Sequence, residues 1–212
     1  MEKQIEPLET LSEIRSMMER SSRFISLNGL SGVFAGIFAL VGALAASIYL
    51  KAGFFQYIDY TYPVFAGIDK SVPFYVFFFA DATMVLTASV AVAILLSVRK
   101  ARKNGLKIWD STVKRVLINM LIPLAAGGIF CLLLMYHGLF GLIAPITLIF
   151  YGMALINASK YTFTDILYLG MVEVLLGLAS TFWIGYGLLF WALGFGMAHI
   201  FYGTIMYFKY ER

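Results

Sequence analysis

Apolar positions in this chain neither alternate nor recur every third or fourth place. They run on. Gly29–Leu50 holds no charged residue, and Pro73–Val98 is broken only by Asp81. No Asp, Glu, Lys or Arg occurs in the 44 residues from Val116 to Ser159. One membrane crossing needs about 20 apolar residues at roughly 1.5 Å rise each, so this stretch holds two, parted at His137-Gly138. Ile166–Gly185 contains one charge, Glu173, and Tyr186–Phe208 contains none but holds His199. The pattern predicts six transmembrane helices, over about 29–50, 73–98, 116–136, 139–159, 166–185 and 186–208. They form one all-α, polytopic domain over 29–208, followed by a tail at 209–212.

Ahead of the first run, residues 1–28 read differently. Leu11, Ile14, Met18 and Ile25 follow helical spacing, with Glu9, Glu13, Glu19, Arg20 and Arg23 on the remaining surface. The expectation is an amphipathic helix. Helices that lie in a membrane surface usually carry a basic polar face. This one holds four bases and five acids. It is therefore expected to pack under the bundle or on a partner chain. The first apolar run begins too late and runs too long for a cleaved signal sequence.

Composition agrees with the spans. Of 212 residues, 61% are apolar and 13% charged, and the mean hydropathy is +0.84. A soluble domain sits near 45–50% apolar even with glycine counted. Charge then orients the bundle. Arg99, Lys100, Arg102, Lys103, Lys107, Lys114 and Arg115 crowd the segment between spans two and three. Positive loops stay in the cytoplasm. With that loop inside, 14 of the 16 basic residues lie inside, and only Lys51 and Lys70 lie outside. Both termini are expected in the cytoplasm, and the membrane is expected to be a bacterial inner membrane. Anionic lipid headgroups are the natural partners of such a face. The basic segment is short and lacks interleaved aromatics apart from Trp109, which argues against nucleic acid. The outer loop carries Phe54, Phe55, Tyr57, Tyr60, Tyr62 and Phe65, expected as interface anchors. A lid over an outer cavity is the other reading.

Small residues predict how the helices meet. Span one carries Gly32, Gly36, Ala39, Ala43 and Ala46 at alternating steps of four and three, one narrow stripe. Such a stripe lets another backbone approach closely in lipid. It is expected within the bundle or at the seam of a homo-oligomer. Pro123 and Pro145 are expected to kink spans three and four. Spans one to three do not visibly repeat in four to six, so an inverted-repeat transporter is not indicated. The lone cysteine, Cys131, sits among apolar neighbours and is expected as a buried thiol.

Ionisable groups at membrane depth are costly, and each is a functional candidate. Three occur: Asp81, Glu173 and His199. Glu173 lies 13 residues before Tyr186 and His199 lies 13 after it. In a tight hairpin, equal counts mean equal depth. Glu173 sits between Gly170 and Gly177, and His199 between Gly196 and Gly203, at identical spacing. The expectation is that the two glycine stripes face each other and bring carboxylate and imidazole together. Such a pair is either a structural clip worth about 0.6–2 kcal/mol or a proton-responsive site, since an imidazole titrates near neutral pH. Asp81 is expected at the level of Gly127-Gly128 of span three. A water or cation could lie there, or the carboxyl could bond a neighbouring carbonyl or hydroxyl.

These residues do not assemble a familiar reaction centre. Asp81 is expected in the outer half and the pair in the inner half, too far apart for a catalytic metal's three ligands. His137 lies at the outer rim, which leaves no second axial ligand for haem. No lysine lies in a span, and no phosphate-binding glycine loop is present. No cofactor, no metal and no enzymatic activity are expected.

The stretch Tyr151-Gly-Met-Ala-Leu-Ile-Asn157-Ala-Ser-Lys160, then Gly185-Tyr-Gly-Leu-Leu-Phe-Trp191-Ala-Leu-Gly-Phe-Gly-Met-Ala-His199, resembles uncharacterised bacterial six-helix integral membrane proteins. The resemblance covers about residues 150–210, with an echo in Ser21–Gly36. Its tight glycine-rich hairpins are also similar to those of small six-helix acid-resistance membrane proteins. Neither resemblance supplies a functional residue. The sequence therefore points first to a non-catalytic scaffold or regulatory membrane protein, with a partner protein or second copy met through the N-terminal helix or first span. The alternative is a small-solute or ion transporter or channel, proton-linked through Glu173 and His199.

Overall fold

The computed structural model describes residues 28–60, 73–105 and 108–211. The N-terminal amphipathic segment, the outer-loop Tyr62 and Phe65, Lys70 and Lys107 lie outside the described residues. Six helices are long and apolar enough to cross a membrane: α1 (Gly29–Leu50), α2 (Phe74–Lys103), α3 (Ser111–Tyr136), a span over Phe140–Ser159 made of a 3₁₀ turn and α4 (Ile143–Ser159), α5 (Thr164–Phe182) and α6 (Ile184–Tyr210). No strand occurs among the described residues. The chain is an all-α, multi-pass membrane protein.

The segment between α2 and α3 is shorter than the charge pattern implied. Arg99, Lys100, Arg102 and Lys103 belong to the last turns of α2, and Lys114 and Arg115 to the first turns of α3. Long basic side chains form helices well, and they can bury apolar stems while their charges reach water. Asp110 sets the start of α3, because its carboxylate accepts the Val113 N–H at 2.8 Å. At the head of α1, Asn28 accepts the Leu30 N–H at 2.8 Å in the same way.

Pro123 lies within the continuous helix α3, but Pro145 does not kink α4. It is the third residue of that helix, where no intrahelical N–H is required. Cys131 is half-buried rather than buried. The spans pack in a sequence of neighbours. α2 lies on α1, α1 on α6, α6 on α5 and α4, and α3 on α4. α2 and α3 are consecutive in the chain, yet they do not pack along each other.

Backbone-to-backbone approach fixes the inner helices. A Cβ on Gly152 of α4 would lie 2.6 Å from the Gly170 carbonyl oxygen of α5. One on Gly170 would lie 2.8 Å from the Gly152 oxygen. Gly177 meets the Pro145 carbonyl in the same way. On α6, Gly203 faces Gly29, Gly32 and Val33 of α1, while Gly196 faces Leu40. So the glycine stripes of α5 and α6 do not face each other, contrary to the sequence expectation. One packs on α4 and the other on α1. Close approach of this kind is how helices associate where burial from water gives no drive.

The α1 stripe also divides. Gly36, Ala39, Ala43 and Ala46 are buried and Gly32 is half-buried against Gly203. Gly29, Gly32 and Gly36 serve the α6 contact, while Gly42 serves α2. Away from the basic end, the described part of the segment between α1 and α2 folds over the turns. The Ile58 N–H donates to the Gly185 carbonyl at 2.9 Å. Tyr57 covers Gly185, and the Tyr60 ring reaches Gly141. Burial there pushes the Tyr60 phenol up to about 12. Phe55 and Tyr57 keep exposed faces, as interface anchors do.

Candidate functional site

The buried face of α5 reads Asp165, Leu169, Glu173, Gly177 and Ser180. Glu173 is completely enclosed, with 0% of its surface exposed. Facing it is a defect in α6. The helix widens into a π turn over Ala192–Ala198 and returns to α-helix at His199. Single π turns inside α-helices often mark functional sites. Here the wide turn leaves the Gly194 carbonyl within reach of the His199 side chain, five residues on. Nδ1 lies 3.1 Å from that oxygen. Gly194 also makes room for the acid, because a Cβ there would lie 2.5 Å from Glu173 Oε2.

The imidazole is held on three sides. Nδ1 is 3.3 Å from Glu173 Oε1 as well as 3.1 Å from Gly194 O. Nε2 is 2.7 Å from the Tyr151 hydroxyl of α4. A carbonyl only accepts, so Nδ1 carries the proton. A hydroxyl both donates and accepts. Tyr151 can donate to Nε2 of a neutral imidazole, or accept from Nε2–H of an imidazolium. The cage therefore accommodates both charge states without moving a residue. Phe195 closes it, with its ring centroid 5.0 Å from Tyr151 and 6.2 Å from His199.

Glu173 is the unsatisfied member. Its Oε1 is close enough to His199 for charge attraction, yet the N–H points to Gly194. Neither carboxyl oxygen makes a hydrogen bond among the described residues. Ser180 Oγ, two turns along the same face, is likewise buried and without a hydrogen bond among them. Buried polar groups in proteins are nearly always bonded, so these exceptions call for an explanation.

Toward the basic end, an apolar cluster seals the cage. Leu155, Ile166, Leu169 and Met206 are buried together, with Phe163 and Tyr202 against them. Beyond it, Asp165 accepts from Lys209 Nζ at 3.0 Å and from the Tyr210 hydroxyl at 2.7 Å. Glu211 accepts from the Gly29 N–H at 2.5 Å and from Lys100 Nζ at 3.3 Å. The end of α6 is thus clamped to α5, α1 and α2. Sequence reading missed both clamps. Extending the hairpin count would have found the first, because Asp165 lies 21 residues before Tyr186 and Lys209 lies 23 after it.

Asp81 is elsewhere. It lies against Gly42 of α1, where a Cβ would be 3.3 Å from both carboxyl oxygens. It does not meet Gly127-Gly128. Gly127 packs on Phe150 of α4, and nothing lies within 4 Å of the Cβ direction of Gly128. His137 caps α3 at an exposed turn. No three His, Cys, Asp or Glu side chains converge among the described residues. No family model, curated protein or solved structure matches the chain.

Proposed function

We propose that this chain is a non-catalytic, regulatory membrane protein whose core holds one exchangeable proton on Glu173 and His199. The observation that carries this is the fully buried Glu173 carboxyl, unbonded at both oxygens and 3.3 Å from His199 Nδ1. A bare carboxylate in a dry interior costs several kcal/mol unless a charge compensates it. A protonated carboxyl beside a neutral imidazole is balanced, and so is a carboxylate beside an imidazolium. Each state holds one proton more than the unbalanced pair. Gain or loss of that proton changes the charge of the core where α4, α5 and α6 meet. Tyr151, also titratable, contacts His199 through its hydroxyl.

Transport is the second reading, and Ser180 favours it, because it extends the polar face of α5 past Glu173. The apolar cluster of Leu155, Ile166, Leu169 and Met206 weighs against a continuous path to the basic end. Charge bias supports an orientation with the basic ends of the helices on the cytoplasmic side of an inner membrane. Lipids of that leaflet are the first partners, and a second copy or partner chain would meet the N-terminal segment or α1. Reporter fusions at Lys103 and Lys160 should read cytoplasmic and one at Asp59 external; a cytoplasmic Asp59 would refute the orientation.

The function is tested by thermal stability of the purified protein across about pH 5 to 8, the range in which imidazoles titrate. Wild type should change stability with pH, and Glu173→Gln should lose most of that dependence. Equal pH profiles would reduce the pair to a structural clip. Proton flux in proteoliposomes that vanishes in Glu173→Gln would favour transport instead.

A further inference from the structure

Span α2 carries a second constellation, independent of the Glu173 cage. Phe74, Phe77, Phe78 and Asp81 stand at positions i, i+3, i+4 and i+7, one face of a helix. That face meets α1. Tyr49 stacks on Phe77 at 4.0 Å and 4°, and meets Phe78 edge-on at 6.1 Å and 86°. Phe74 lies 4.4 Å from Phe78. Asp81 lies seven residues along the helix from Phe74, about 10 Å deeper. Bare backbone at Gly42 leaves room for its carboxylate.

The acid is open on one side. It is only half-buried, and it belongs to a helix whose apolar stretch buries nothing inside the protein. Neither Gly29–Leu50 nor Pro73–Val98 contains a Lys or Arg to compensate it. A carboxylate at this depth needs a counter-charge or a proton. Phe77 and Phe78 stand one helical turn from it on the same face, and aromatic rings attract cations. A small metal ion would demand several oxygen ligands, and the face supplies one carboxyl. Lipid headgroups sit at the interface, above this depth.

We infer that Asp81, with Phe77 and Phe78, forms a binding site for a lipophilic organic cation entering from the bilayer. Quaternary ammonium and phosphonium ions fit this chemistry. Their charge is shielded by apolar groups, so they partition into the membrane. The carboxylate supplies the counter-charge, and the rings supply cation–π contact.

The probe is tetraphenylphosphonium, measured by equilibrium dialysis against the full chain in phosphatidylcholine nanodiscs. Wild type should bind one equivalent saturably above the uptake of empty nanodiscs. Asp81→Asn, nearly isosteric, should weaken binding at least tenfold, and Phe77→Leu should weaken it about 2- to 30-fold. Tetraphenylborate has the same shape and the opposite charge, so wild type should reject it. That comparison needs no variant and stands even if Asp81→Asn fails to fold. Unsaturable uptake by wild type, equal uptake of both ions, or unchanged binding by a folded Asp81→Asn would each overturn the site.

Discussion

Helices α2 and α5 are both apolar enough to cross a membrane, yet they keep opposite company. None of the apolar stretch of α2 is buried inside the protein, against 39% of that of α5. Helix α3 resembles α2 at 11%, while the spans of α1, α4 and α6 lie at 28–33%. Hydropathy does not separate the two groups, but glycines that meet another helix's backbone do; the buried Gly127 of α3 meets the Phe150 side chain instead. The inner helices meet through Gly152, Gly170, Gly177, Gly196 and Gly203, all buried. Helix α2 has no glycine between Phe74 and Lys103. In lipid, apolar side chains gain little by touching each other, so backbone proximity decides which helices form a core. The polar groups divide likewise. Glu173 and His199 are enclosed by the glycine-knit helices, and Asp81 stays half-open on the bare one.

The largest break in this comparison should come from Gly152→Leu. Its Cβ alone would stand 2.6 Å from the Gly170 carbonyl oxygen, so α4 and α5 must separate. Overpacking a core costs about 1–3 kcal/mol, and a backbone clash belongs at or above the top of that range. The same change at Gly128, where nothing lies within 4 Å, should leave stability within about 0.5 kcal/mol. Matched thermal unfolding of the two variants reads the contrast. Equal losses would show that glycine position does not separate the two groups of helices.

Comparable in size are Glu173→Ala and His199→Ala. Breaking a buried charged pair typically costs about 3–5 kcal/mol, much of it from the stranded partner. A carboxyl already without hydrogen bonds places Glu173→Ala at or below the low end. The double variant should cost less than the sum of the singles, by roughly 0.5–3 kcal/mol. Additive costs would mean that the two groups do not interact.

How far the sequence could be read follows the same division. Span positions were legible, because about 20 apolar residues permit little else. The depth match of Glu173 and His199 was legible because a tight turn at Tyr186 fixes the register of α5 on α6. The reason behind their meeting was misread. A glycine stripe says that a backbone comes close, not which one, and the stripes of α5 and α6 point to α4 and α1. Asp81 does not meet Gly127-Gly128 because α2 and α3, though consecutive in the chain, do not pack along each other, and it meets Gly42 of α1 instead. The π turn had only the faint signal of Gly194 and Gly196. The wide turn leaves the Gly194 carbonyl facing His199 Nδ1. Pro145 was expected inside a continuous helix, but Phe140–Leu142 form a 3₁₀ turn and the α-helix begins at Ile143, which puts the proline in its first turn.

The central claim is that Glu173 and His199 share an exchangeable proton, and infrared titration of the membrane-reconstituted protein tests it most directly. Across the pH range in which the protein stays folded, wild type should show a carboxyl band that changes with pH. Glu173→Gln should lack that change, while His199→Ala should move it to another pH. A band of Glu173 that stays constant throughout, or a titration unchanged by Glu173→Gln, would contradict the account.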